Sequence, residues 1–159
     1  MNTNFNLPEK DPYYIANEPL FQRIIKELQQ NNKCYINGVP GVGKSSLATE
    51  IAHKLSDTHL AIWFDCASEL KIDQSVRSLA TLLNINNLSN LEDNFLAIKN
   101  KLNQEKKYLF ILDNVETYES VEALTTRNPE NFFIVITTRD ERLKDIFHGG
   151  QKKLSKNQL

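Results

Sequence analysis

Eight consecutive residues, Gly38-Val39-Pro40-Gly41-Val42-Gly43-Lys44-Ser45, bring three glycines, a lysine and a hydroxyl into one turn. That combination suits a phosphate. Phosphate groups are bulky anions best wrapped by backbone N–H groups, and glycines let the backbone come close. A helix opening at Lys44 adds its N-terminal N–H groups and dipole. The spacing G-x-x-x-x-G-K-[ST] is matched without departure. It assigns Lys44 to the β- and γ-phosphates of a nucleotide and the Ser45 hydroxyl to Mg²⁺. A glycine-rich turn with an accidental lysine is the plain alternative. Two features decide against it: the strand-like run Cys34-Tyr35-Ile36-Asn37 before the loop, and Leu47, Ala48, Ile51, Ala52 and Leu55 at helical spacing after it.

Mg²⁺ needs a second protein anchor, usually an acid at the end of a neighbouring parallel strand. Leu109-Phe110-Ile111-Leu112-Asp113 has that form, so Asp113 is expected to hold the ion through water. The next residue is Asn114. Efficient hydrolysis uses a carboxylate there to polarise the attacking water; a carboxamide orients water but cannot take its proton. Glu116 is a weak substitute, on the same side as Asn114 if the chain stays extended. A third run, Phe132-Phe133-Ile134-Val135-Ile136, leads into Thr137-Thr138-Arg139-Asp140. Ligands of open α/β sheets collect at the carboxyl ends of strands. Arg139 could reach a γ-phosphate there, or be a surface arginine paired with Asp140 or Glu141.

The elements that must position these groups alternate. Residues 1–12 read as an arm, with Pro8 and Pro12 working against helix. Asn17 is expected to cap a first helix whose apolar face is Leu20, Phe21, Ile24, Ile25 and Leu28. Strands are expected over residues 34–37, 59–65, 108–113 and 132–137, and a further one near 151–154. Helices are expected from Lys44, over 68–83, over 118–124 and near 141–147. Ser89 and Glu92 form an S-x-x-E capping box for another helix, with Leu91, Phe95, Ile98 and Leu102 inward. Strands apolar on both faces, separated by amphipathic helices, imply a mostly parallel five-stranded sheet with helices on both faces, a three-layer α/β fold.

The 159 residues suit one domain, at 40% hydrophobic and 25% charged. A net charge of -1 advertises no nucleic-acid or anionic-membrane surface. No apolar run approaches the roughly 20 residues of a membrane span, and the N-terminus is not a signal peptide. Cys34 and Cys66 have no metal-ligand spacing and read as reduced, buried thiols of a cytoplasmic protein.

Three motifs stand in one order: GVPGVGKSSLA, YLFILDNVE and FFIVITTRDERL. Together they resemble the NB-ARC family of STAND P-loop NTPases, and NLPEKDPYYIANEPLFQRI is similar to the entry segment of such proteins. The resemblance implies an ATP/ADP-binding switch that uses Mg²⁺ and hydrolyses slowly or not at all alone. A non-hydrolysing, nucleotide-stabilised oligomerisation scaffold is the alternative. It implies adenine contacts at Tyr14, Ile15 and Asn17, with Ala16 where the family has glycine and Asn17 where it has a basic residue. It makes Arg139 the γ-phosphate sensor and carries over Val42 and Ser46 as loop residues. KKLSKNQL is similar to the junction where the family's helical lid begins. Residues 13–159 are therefore expected to be the nucleotide-binding domain without its lid and winged-helix domains, through which protein partners or self-association would act. A small-molecule kinase is disfavoured by the lack of an acceptor-binding insert and an arginine-rich lid. A DNA-loading ATPase is disfavoured by the lack of a DNA-binding module.

Overall fold

The computed structural model describes residues 1–37, 43–140 and 142–143. Four parallel strands, β1 (Lys33–Asn37), β2 (His59–Asp65), β3 (Lys107–Val115) and β4 (Phe132–Thr138), form one sheet in the order β1-β4-β3-β2. Five helices lie between or before them: α1 (Glu18–Asn31), α2 (Lys44–Lys54), α3 (Glu69–Leu82), α4 (Leu91–Lys101) and α5 (Tyr118–Thr125). The fold is a parallel sheet between two helical layers, as a P-loop NTPase requires. Four strands are described where five are expected. Residues 151–154 lie outside the described residues, as does the helix expected near 141–147 apart from Arg142 and Leu143.

Connectivity accounts for the two layers. The chain crosses from β1 at one side of the sheet to β2 at the other through α2, then steps back through β3 to β4. Reversing direction with right-handed crossovers puts the later helices on the opposite face. The core divides accordingly. Ile24 and Leu28 of α1 and Leu47, Ala48, Ile51 and Ala52 of α2 pack on Cys34, Ile36, Trp63, Leu109, Ile111 and Val135. On the other face Val76, Leu79, Phe95, Ile98 and Val121 pack on Phe64, Phe110, Leu112, Ile134 and Ile136. Successive strand residues serve opposite layers, which is the period of two expected of a strand buried on both sides.

Local chemistry sets the helix ends. Asn17 caps α1 as expected, its carboxamide oxygen accepting the Leu20 N–H at 3.1 Å. The start of α4 differs from the expected capping box. Asn90, not Ser89, is the cap, accepting the Asp93 N–H at 2.8 Å. Ser89 stands one residue outside, its N–H donated to Asn94 Oδ1 at 2.7 Å and its carbonyl taken by Arg77 at 2.7 Å. With both Ser89 backbone groups already engaged by the Asn94 and Arg77 side chains, the capping conformation falls to its neighbour.

The arm is docked rather than loose. Phe5 extends the sheet beside β2: its N–H donates to Ala61 O at 2.8 Å, and its carbonyl accepts from Trp63 N at 2.9 Å. Its ring is buried edge-on to Phe64. Asn4 Oδ1 accepts the Ala61 N–H at 2.9 Å, and Lys106 donates to Met1 O at 3.1 Å. These contacts cover the edge of β2, which would otherwise expose unpaired backbone groups. Phe5→Ala should therefore destabilise the chain by about 3 kcal/mol, the low end of the range for truncating a buried aromatic. Urea denaturation measures this, and an unchanged midpoint at constant slope would show that the arm is undocked in solution.

Candidate functional site

Alternation along the strands aims the chemistry. On β3, Leu109 and Ile111 face the α1/α2 layer, and Asp113 continues that face; on β4, Val135 is followed on the same face by Thr137. Because β3 and β4 are neighbours, these two side chains meet. Thr137 Oγ1 donates to Asp113 Oδ1 at 2.7 Å. From the first turn of α2, the Ser45 hydroxyl donates to the same oxygen at 2.8 Å. Asn114 Nδ2 donates to Asp113 Oδ2 at 3.2 Å. A carboxylate only 8% exposed thus has hydrogen-bond donors on both oxygens in place of the water lost on burial.

Gly43 leads into α2 with φ of 80°, a left-handed conformation that glycine adopts without penalty. No side chain caps α2, and its first turn carries no acid. The helix start therefore presents no negative charge of its own against an incoming anion. Lys44 opens the helix and is buried, at 8% exposure. Gly38, Val39, Pro40, Gly41 and Val42 lie outside the described residues. Ser46 is partly exposed, with its hydroxyl 3.4 Å from Asp11 Oδ2, so the arm reaches the first turn of α2. Pro8 O lies 3.0 Å from His53 Nε2 at the far end of the same helix.

Beyond the strand ends, Ala67, Asn114, Val115, Glu116, Arg139 and Asp140 line a cleft of about 620 Å³. That volume is in the range of small-molecule pockets. Arg139 is exposed and lines this cleft. It is not paired with Asp140: Arg142 binds that carboxylate through both oxygens, at 3.0 and 2.9 Å, and holds its pKa below the usual range. The chain does not stay extended after Asp113, because Asn114 has φ of 62°; Asn114 and Glu116 nevertheless line the same cleft. The three entry residues have different surroundings. Ile15 is 87% exposed, and the Asn17 carboxamide caps α1. Tyr14 packs against the α1/α2 layer, where burial and then the Glu50 carboxylate raise its phenol pKa.

Thr137 is the side chain beside Asp113 that sequence reasoning passes over in favour of Arg139. Thr138 instead donates to Val115 O at 2.7 Å and stays in the backbone framework. The available signal is parity: a hydroxyl on the face of Val135, at the end of a strand buried on both sides, needs a polar partner.

The donor set suits Mg²⁺. Hydroxyl and carboxylate oxygens are what this hard cation takes, alongside waters and phosphate oxygens. Among the described residues no group of three or more His, Cys, Asp or Glu could hold a metal alone. Ser45 and Asp113 would therefore hold the ion jointly with a nucleotide.

Cys66 follows β2, with its N–H donated to Asp113 O at 2.8 Å. Burial, then the Asp65 and Asp113 carboxylates, push its thiol pKa far above the ordinary 9.0. Above that value the unfolded thiol loses its proton while the folded one keeps it, so stability falls as pH rises. Cys66 should resist thiol reagents at pH 8 in the folded chain and react on unfolding. Mass-spectrometric counting of labelled sites checks this, and native labelling at the rate of a free cysteine would contradict the closed packing behind Asp113.

The sequence model of the NB-ARC domain matches residues 17–159. The chain has no match among curated proteins. Among the described residues no helix is long and apolar enough to cross a membrane. The matched span contains Lys44, Ser45, Asp113, Thr137 and Arg139, on the parallel sheet and helix start that the fold requires. The chain belongs to the NB-ARC family of STAND P-loop NTPases and is a nucleotide-binding signalling module.

Proposed function

We propose that this module binds ATP and ADP with Mg²⁺ and acts as a switch between the two nucleotide states, with hydrolysis that is slow in the isolated chain. The observation that carries the reading is the 2.8 Å contact between Ser45, in the first turn of α2, and the buried Asp113 carboxylate. Hydroxyl, carboxylate and helix start converge where a nucleotide's β- and γ-phosphates and their cation would sit. What Mg²⁺ supplies when bound is neutralisation of charge across those phosphates. Lys44 adds a fixed positive charge, and Gly38 to Gly43 would wrap the phosphates with backbone N–H groups. Tyr14, Ile15 and Asn17 are assigned to the adenine side.

Arg139 is the discriminating group. It is exposed beside the cleft, and the nearest acid in sequence is taken by Arg142. Its guanidinium is thus available to a γ-phosphate that ADP lacks. A ligand shifts a two-state equilibrium only by its differential affinity for the two states. Signalling partners or self-association would read that difference through further domains. Neither Cys34 nor Cys66 forms a disulfide, and both are buried, in opposite core layers, which supports a reducing, cytoplasmic location.

Calorimetric titration tests the binding roles. Lys44→Ala should weaken ATP and ADP about tenfold or more, about 1.4 kcal/mol. Arg139→Ala should weaken ATP more than ADP. Equal affinities for wild type and Lys44→Ala would remove the phosphate-loop assignment, and a uniform loss in Arg139→Ala would make that residue structural.

Turnover should be slow because no carboxylate follows Asp113. General-base assistance is worth roughly 10²–10⁴-fold, and Asn114 cannot provide it. The isolated chain should hydrolyse fewer than about one ATP per minute, far below a median enzyme rate of roughly 10 s⁻¹. Single-turnover hydrolysis of labelled ATP measures it. Fast hydrolysis abolished by Glu116→Gln would make Glu116 the base, and no hydrolysis under any condition would favour the scaffold reading.

A further inference from the structure

The β3–β4 ladder is irregular at one place. Leu112 pairs with Ile136 and Val115 with Thr138, so Asp113 and Asn114 together face the single residue Thr137. This is a β-bulge, with Asn114 in the left-handed region at φ of 62°. Its consequence follows from strand parity. Without the bulge, alternation would send Asn114 into the apolar layer that holds Leu112 and turn Val115 toward α2. With it, Val115 is buried in the Leu112 layer and Asn114 is exposed at the cleft.

Thr137 closes the bulge. Its hydroxyl accepts the Asn114 N–H at 2.8 Å and donates its proton to Asp113 Oδ1 at 2.7 Å. One side chain thus anchors the left-handed turn and holds the carboxylate that the Ser45 hydroxyl also reaches. Asparagine suits the turn, because it tolerates positive φ better than other side-chain-bearing residues. The chain uses it that way elsewhere: Asn6, Asn32 and Asn84 also have positive φ, and Arg127 is the other non-glycine example among the described residues.

We propose that Asn114 and Thr137 are positioning residues: the left-handed backbone at 114 and the Thr137 hydroxyl that closes the bulge aim the Asp113 carboxylate at Ser45. The backbone at position 114 sets the aim of the carboxylate, and the 3.2 Å contact of its carboxamide with Asp113 Oδ2 is secondary to it. The functional consequence rests on the nucleotide reading above, since Asp113 is the acid that would serve the cation.

Glycine and alanine separate backbone from side chain, because both lack the carboxamide and only glycine accepts positive φ freely. Serine and valine at position 137 likewise separate the hydroxyl from the packing. The measurements are the melting temperature without nucleotide and the ratio of ADP dissociation constants in EDTA and in Mg²⁺. Asn114→Gly should melt about 2–4 °C above Asn114→Ala, and Thr137→Ser above Thr137→Val by a similar margin. The gain in ADP affinity from Mg²⁺ should be about threefold or more larger in the glycine and serine variants than in their alanine and valine counterparts. Equal behaviour of Asn114→Gly and Asn114→Ala in both measurements would overturn the proposal and assign the role to the carboxamide. Loss of melting temperature without loss of the Mg²⁺ gain would overturn the positioning of Asp113. Absence of ADP binding by the wild type would remove the nucleotide reading, and the melting order would then decide the bulge assignment alone.

Discussion

A carboxylate buried at the end of a parallel sheet loses its hydration and must recover it from protein donors. Asp113 does so through hydroxyls on a helix and on the neighbouring strand, with the Asn114 amide on its second oxygen. Much of the module is arranged around this requirement. The Ser45 hydroxyl can arrive only if α2 begins at Lys44 over the carboxyl end of β1. Thr137 can arrive only if β4 runs beside β3 in register. The acid is therefore a junction where the phosphate-loop helix and two strands are tied together.

That junction explains why the site can be both stable and responsive. Ser45 donates to Asp113 in this structure, and the same two oxygens would share a cation when nucleotide enters. Under the proposed function, binding would exchange one set of Asp113 and Ser45 partners for another. Arg139, Asn114 and Glu116, which the proposed switch would use to tell the nucleotide states apart, line the cleft beyond the strand ends. A two-state switch needs its ligands to contact the two states differently.

The arm adds a constraint of its own. It covers the outer edge of β2 through Phe5, passes His53 at one end of α2, and reaches Ser46 at the other. It thus binds the far side of the sheet to the helix that carries Lys44. Asn32 makes a comparable link at the other pole. It ends α1 in a left-handed conformation and donates to the carbonyls of Glu130 and Phe132, so the first helix is locked to the start of β4.

Sequence alone determined the features set by local spacing. The glycine-lysine-serine run marked the start of α2 at Lys44, strand runs such as HLAIWFD and FFIVIT had a length and polarity that left little choice, and Asn17 stood where a helix cap must stand. It named Lys44, Ser45 and Asp113 because their chemistry follows from residue type at a known spacing. Tertiary structure decided what depends on neighbours far apart in the chain. The partnership of Thr137 with Asp113 exists only because β4 inserts between β1 and β3, an order that no local pattern encodes. The bulge at Asn114 arises because Val115 must fill the apolar layer while Asp113 faces α2, a conflict of parity visible only once both layers are packed. The docking of Phe5 likewise required a free strand edge, whose position is set by sheet order. Local periodicity specifies which face a residue presents; only packing specifies what that face meets.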